Sequence, residues 1–329
     1  MKAVLMEGFG GVDVLRVGEA PAPKPAAGQV LIRVKATSVN RPDLVQREGK
    51  YPPPPGESDI LGLEVAGVIE ELGPGVGGCA RGDRVMSLVG GGGYAEYAVA
   101  YADHLMRIPG SMSFEEAACV CESYITAFLN VFILGELGDG QVALLHGGGG
   151  GVNTAAVQLC RALAPDTKLI VTASPEKMDR VKQLGVDLVI NYRETPDFSE
   201  AVKNFTGKRG VDVILDHIGA KYLEPNMNSL AYAGRLVLIG VTSGIKAELN
   251  LGLMMVKRQR IIGSVLRSRP VSEKGGIVAE FTRRALPKFA DRTIVPLIEK
   301  VFPLEEVQAA HRMMEEDRHF GKIVLRVGS

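Results

Sequence analysis

The sequence predicts an α/β chain in which a compact β domain precedes a doubly wound parallel sheet of six strands. Three observations carry this prediction. From residue 142 to residue 265, short apolar runs alternate with helical patterns, as in consecutive βαβ units. Before residue 100, short alternating runs are separated by glycine and proline, and the main helical signal is the stretch 42–47. The length of 329 residues suggests two domains, each with room for its own core.

Taken in order, the start at Met1 reads as a strand and lacks a signal peptide's apolar core. Val30–Val34 alternates apolar and polar residues, and Glu64–Leu72, Asp83–Leu88 and Tyr94–Val99 are further short runs. Tyr51 opens a stiff, extended loop through four prolines to Gly56. Glu115–Leu134 reads as helical. Its apolar tract is interrupted by Glu122, Ser123 and Asn130, which favours a buried helix over a membrane span. Strands are then expected at 142–146, 169–173, 188–191, 211–216, 236–240 and 261–265. Helices are expected at 152–163, 175–184, 197–206, 222–230 and 249–258. After Arg269 come a helix at Ile277–Phe289, a short strand, a helix at Leu304–Glu315 and a last strand at Lys322–Val327, a tail expected to return to the first domain.

Composition narrows the function. A net charge of +0 with 23% charged residues gives no reason to expect nucleic acid or an anionic membrane surface as the main partner. Cys79, Cys119, Cys121 and Cys160 show neither zinc-knuckle nor C-x-x-C spacing and read as reduced thiols of a cytoplasmic protein. The chemistry is concentrated where the strand Val142–Leu145 runs into five glycines, Gly147 to Gly151, and then into a helix with Val152, Ala155, Ala156, Leu159 and Leu163 on one face. A strand, a glycine turn and a helix start form a dinucleotide-binding opening, because unhindered backbone N–H groups at a helix N-terminus meet the pyrophosphate. The spacing is imperfect, since Asn153 stands where a third glycine is usual.

The second strand ends in Ala173 without an acid for the ribose hydroxyl. Ser174 and Lys177 can instead bind a 2′-phosphate, with Tyr192 and Arg193 closing over the adenine, which favours NADPH; Asp166 and Glu176 count against it. The plainer alternative is that Ser174 caps a helix whose first position is Pro175 and that Lys177 is solvated. His146 and His217 fall at strand ends near the expected cofactor crevice and are read as satisfied or solvated.

Several motifs combine: SVNRPDLVQREGKYPPPPG at 38–56, NYRE at 191–194, LDHIG at 215–219, LRSR at 266–269 and FGKIVL at 320–325. Together they resemble the medium-chain dehydrogenase/reductase superfamily, and within it the zinc-free quinone oxidoreductases. The resemblance implies a GroES-like domain over 1–123, a Rossmann domain over 124–267 and a return segment over 268–329. It implies cofactor contacts from Tyr51, Gly148, Gly149, Gly150, Gly151, Val152, Ser174, Lys177, Tyr192, Ile218, Gly240, Leu266, Arg267, Ser268, Phe320 and Lys322. Zinc-dependent relatives carry a cysteine within the stretch here occupied by Ser38–Arg41 and a histidine at the position of Leu63, so no metal is expected. Glu64 is read as holding the fold.

Tyr51 and Asn40 are the expected catalytic pair, because without a metal the protein must orient its acceptor by hydrogen bonds. The plainer readings are a packed loop tyrosine and an asparagine capping the helix that opens at Pro42, with Asp43 a first-turn charge. The implied reaction is hydride transfer from NADPH to a quinone or similar conjugated acceptor. The alternatives are a 2-enoyl thioester or enone reductase, and a non-catalytic NADPH-binding, crystallin-like protein. Ile261–Leu266 is expected at a sheet edge with apolar side chains, where related reductases pair, so a homodimer is expected.

Overall fold

The computed structural model describes residues 1–328 and divides the chain into two units: 1–125 with 266–328, and 126–265. The first unit begins with β1 (Lys2–Met6), β2 (Leu15–Glu19), β3 (Gln29–Val39), α1 (Arg41–Arg47), β4 (Glu64–Leu72), β5 (Arg84–Leu88), β6 (Tyr97–Tyr101), β7 (Leu105–Arg107) and α2 (Phe114–Ala117). The boundary falls inside α3 (Cys121–Phe128). The second unit runs through β8 (Val142–His146), α4 (Gly151–Leu163), β9 (Lys168–Ala173), α5 (Met178–Lys182), β10 (Leu188–Asn191), α6 (Ser199–Phe205) and β11 (Val211–Asp216). It continues with α7 (Leu223–Ser229), β12 (Leu230–Leu238), α8 (Leu251–Lys257) and β13 (Arg260–Gly263). The chain then returns to the first unit with α9 (Val271–Arg284), α10 (Leu286–Ala290), β14 (Ile298–Pro303), α11 (Val307–Glu315) and β15 (Lys322–Arg326).

In the first unit, the long strand β3 organises a sheet ordered β14-β15-β3-β4-β5-β7. Its first half, Gln29–Arg33, pairs with β6, while Ala36–Val39 pairs with β15. In its pairing with β4, register shifts at Leu31/Ile32 and Val34/Ala36 mark irregularities of the bulge kind. Alternate residues Val30, Ile32 and Val34 enter a core with Ile69, Val85, Ile323 and Leu325.

The second unit is a parallel sheet ordered β10-β9-β8-β11-β12-β13, so the direction of winding reverses between β8 and β11. Every residue of β8 and β11 is buried, as expected of central strands covered on both faces. Four of the six strands expected here occur close to their expected ranges, and the fifth, expected at 236–240, is longer and begins at Leu230. The sixth is shorter: β13 stops at Gly263, because its partner β12 ends at Leu238, and Ser264 makes the last contact by donating to the Leu238 carbonyl.

Several expected helices are interrupted. The stretch 175–184 is a 3₁₀ turn at Pro175–Lys177 followed by α5. The stretch 115–134 is α2, α3 and a π-helix at Leu129–Leu134, in which Gly135 N–H bonds the Asn130 carbonyl. The helix expected at 277–289 starts earlier and is split before Pro287, whose ring cannot continue the hydrogen-bond ladder. No helix among the described residues is long and apolar enough to cross a membrane.

Candidate functional site

In the second unit, the glycine loop lies at the C-terminal end of β8, beside the reversal in strand order where open α/β sheets bind ligands. Gly147 has φ +79°, and a β-carbon there would lie 2.4 Å from Cε1 of His217. A β-carbon on Gly148 would lie 2.4 Å from Val171 Cγ1. On Gly149 it would lie 2.3 Å from Cδ of Lys177, so the lysine stem folds directly over the loop. Gly150 is the N-cap of α4, and the opening N–H groups at Gly151 and Val152 are those an α-helix leaves without intrahelical partners.

Asn153 is buried and donates its amide to the carbonyls of His146 and of Gly147, the latter at 3.1 Å. It therefore ties the turn to the end of β8, the work a glycine at this position could not do. The adjacent floor is fixed by His146, which contacts Thr172 and Asn226 at 3.0 and 2.7 Å. Burial pushes its imidazole down to about 3, so it is neutral and structural. Asp216 accepts from the N–H groups of Ile218 and Gly219 and from Asn226. Burial raises its carboxyl to about 6 against the opposing pull of these bonds. Ile218 and His217 are half-buried beyond β11, and a β-carbon on Gly240 would lie 3.0 Å from the His217 carbonyl oxygen.

At the end of β9, Ser174 is buried and starts the 3₁₀ turn, but its side chain makes no capping bond to the backbone. Tyr192 N–H lies 3.4 Å from the Ala173 carbonyl, which keeps the tyrosine at this strand end. Arg193 pairs with Glu176 at 2.7 Å on the surface.

The first unit holds a second polar group, this one deeply buried. Glu64 is fully buried; its Oε1 accepts from Ser38 Oγ, Asn40 Nδ2 at 3.0 Å and Lys322 Nζ at 3.0 Å, and its Oε2 from Glu122 N–H at 2.8 Å. Lys322 Nζ also donates to Asn40 Oδ1 at 2.6 Å. Both ends of the Asn40 amide are thus engaged, and the residue is 6% exposed. Asn40, expected as a catalytic residue, bridges the Glu64–Lys322 pair and is the N-cap residue of α1. Of the expected cofactor contacts in this unit, Lys322 donates its ammonium to Asn40 and Glu64, and Phe320 is buried. Asp43, expected as a first-turn charge, is fully buried. It accepts from Asn40 N–H, Gly62 N–H and Tyr94 Oη, and burial raises it to about 6.

Tyr51 is half-buried with the Arg267 guanidinium 5.2 Å from its ring centroid. Burial, then the charge of Glu122, raise the phenol, and Arg267 opposes them. It therefore remains a proton donor at neutral pH. Arg267 is anchored by donating Nε and Nη2 to the Gly90 carbonyl, at 2.8 and 2.5 Å, while Leu266 is buried and Ser268 exposed beside it. Sequence reasoning did not single out Glu122 as a site residue, although an acid inside an otherwise apolar tract was the available signal. Burial, then the Glu64 charge, push its carboxyl up to about 8.

A zinc ion does not fit this group. Leu63 offers no ligand atom, Glu64 is saturated by four donors, and no three His, Cys, Asp or Glu side chains among the described residues could hold a metal ion. The glycine cradle and the opening of α4, in contrast, have the shape and polarity a dinucleotide pyrophosphate requires.

Comparison with known proteins agrees with both halves. Residues 26–110 match the family model of the alcohol dehydrogenase GroES-like domain, and residues 151–282 match that of the zinc-binding dehydrogenases. The chain is 34% identical to a quinone oxidoreductase of Lama guanicoe, covering 99% of this chain and 97% of that protein. It is 32% identical to the human synaptic vesicle membrane protein VAT-1 homolog, covering 100% and 87%. Among solved structures, a mycobacterial protein complexed with NADPH superposes with a TM-score of 0.89 at 29% identity, covering 99% and 100%. The CurK enoyl reductase superposes with a TM-score of 0.87 at 27% identity, covering 99% of each chain.

Proposed function

We propose a function from this premise: the chain belongs to the medium-chain dehydrogenase/reductase superfamily. Its quinone oxidoreductase relatives support nicotinamide-dependent oxidoreduction, and the finer reading is a zinc-independent NADPH:quinone oxidoreductase. The observation that carries the cofactor choice is Lys177, whose stem lies over Gly149 just beyond the end of β9, where Ala173 supplies no acid. The pyrophosphate is held by the N–H groups from Gly148 to Val152, and the 2′-phosphate by Lys177 with Ser174 and Tyr192.

Bound there, the cofactor supplies a hydride. The acceptor is oriented by the Tyr51 phenol, whose ring is fixed by the proline loop and by Arg267. Hydride addition to a quinone leaves a hydroquinone monoanion, and one proton from the phenol or solvent completes the hydroquinone. A quinone needs no Lewis acid to accept hydride, which suits a site where Lys322 already neutralises Glu64.

Lys177→Ala tests the assignment. It should weaken NADPH by about 1–3 kcal/mol and leave NADH nearly unchanged. Equal losses for both cofactors would remove Lys177 from the phosphate site.

A second reading, reduction of a 2-enoyl thioester, is favoured by the likeness to the CurK enoyl reductase and shares cofactor and fold. We also assign a homodimer and a cytoplasmic location. The strand β13 pairs with β12 on one side only, its outer edge has no partner strand in the sheet, and Val265 beyond it and Met255 and Val256 on α8 are exposed, a combination suited to pairing with a second copy. Sedimentation equilibrium at micromolar protein checks it, and a single monomer mass would refute it.

A further inference from the structure

The first unit contains a cavity of about 320 Å³ that the proposed reaction does not use. Its lining includes Glu57, Ser58, Tyr97, Tyr101, His104 and Lys274, and none of Tyr51, Asn40, Glu64 or Lys322. Lys274 is the unusual member. It sits in the first turn of α9, where the helix dipole opposes a cation, and it is only 6% exposed. Its ammonium has three donors, yet the hydrogen bond found for it among the described residues is one, to the Arg267 carbonyl at 3.3 Å. No carboxylate among the described residues lies within ion-pair distance of it.

A buried ammonium without a counter-ion is unfavourable by two separate effects, lost hydration and the helix dipole. A residue that breaks two local rules at one cavity marks a place where something else completes the balance. The rest of the lining says what that is. His104 donates Nε2–H to the Val271 carbonyl at 3.0 Å, and burial, with the charge of Lys274, holds its imidazole below the usual value, so the ring is neutral and Nδ1 is an acceptor. Glu57 lies against the Gly90 α-carbon on the loop that forms another wall, and its charge acts on Lys274 from beyond ion-pair distance. Leu88, Ala98 and Ala100, with the half-buried rings of Tyr97 and Tyr101, add an apolar wall.

We propose that this cavity is a binding site for a small monocarboxylate with a short apolar or aromatic body, its carboxylate taken by the Lys274 ammonium. A single negative charge matches one buried ammonium. A second charge would meet Glu57, and the lining holds no arginine to grip a phosphate in the bidentate manner. The volume accommodates a body the size of a benzene ring with room for ordered water.

Benzoate is the probe and benzamide its neutral counterpart of equal shape, both titrated calorimetrically into the full chain with NADPH present and absent. Benzoate should bind with a Kd on the order of 1 mM, as suits so small a ligand, and benzamide at least about tenfold more weakly. Lys274→Gln should weaken benzoate by at least about tenfold, and Glu57→Gln should tighten it a few-fold. Saturating NADPH should leave the benzoate affinity unchanged. Equal binding of benzoate and benzamide, unaltered binding by Lys274→Gln, displacement by NADPH, or no binding to the wild type at tens of millimolar would each overturn the proposal. If Lys274→Gln does not fold, the benzoate–benzamide comparison on the wild type decides alone.

Discussion

Lys322→Met is the most direct test of how the first unit holds its polar centre. The substitution keeps a long apolar stem and removes the charge that lies 3.0 Å from Glu64. Both side chains are buried, at 4% and 0% exposure, so solvent does not screen the loss. Glu64 would retain its bonds from Ser38, Asn40 and the Glu122 N–H but lose its counter-charge, and Asn40 Oδ1 would lose its donor. Breaking such a pair from one side costs about 3–5 kcal/mol. For a domain of this size that lowers Tm by roughly 6–20 °C. Glu64→Gln should cost a similar amount, because it strands the ammonium instead. The double variant should be more stable than the sum of the two losses by up to about 3 kcal/mol. Calorimetric melting of the four proteins, with the transition of the second unit as an internal reference, completes the cycle. Additive losses would refute the argument, because they would mean that the two charges stabilise the unit independently.

Further predictions concern separate sites. Tyr51→Phe should keep most quinone kcat, since stacking beside Arg267 survives. It should cost an enoyl thioester on the order of a hundredfold, where a proton must reach carbon, so steady-state rates on both acceptors separate the two readings. If Tyr51→Phe and Tyr51→Ala both match the wild type on every acceptor, Tyr51 is loop packing alone. Gly147→Ala should destabilise the second unit and weaken the cofactor, because φ +79° and His217 both oppose a side chain. Gly149→Ala meets only the flexible stem of Lys177 and should spare the fold while shifting the NADPH preference. Urea unfolding and cofactor titration distinguish them, and equal destabilisation would refute the contrast. His311 is held neutral by burial, down to about 3, against an unfolded value near 6.5. Its contribution is therefore fully present above that unfolded value and is lost as pH falls toward the folded one. The stability gap between wild type and His311→Asn should shrink by about 2 kcal/mol from pH 7 to pH 5, and a constant gap would refute it.

The two-part fold was legible because its signals are local. The apolar run 142–145, the glycines and the face of α4 are contiguous, and each βαβ unit repeats that grammar. The strands β2 and β7 were missed because they are short, and β7 has only three residues on which to show alternation. The glycine turn between β8 and α4 was legible for the same local reason. The polar centre was not, since Asn40 and Lys322 meet across 282 positions and no pattern within a window announces that an amide and an ammonium will share one carboxylate. Asp43 shows the same limit: its place at the third position of α1 was readable, but its burial under Tyr94 depends on a contact 51 residues away.

The position of β15 imposes an order on synthesis. This strand lies inside the sheet of the first unit, next to β3, although the whole of the second unit is made between the two. Until it emerges, β3 has an open edge over Ala36–Val39, and Glu64 waits for a counter-ion encoded 258 residues later. The second unit is contiguous in sequence and can close before β15 is made, whereas the first, though begun earlier, waits for β15. While it is being made, the chain therefore passes through a stage with a completed second unit and an unfinished sheet in the first, and the open edge of β3 is the segment exposed to mispairing until β15 emerges.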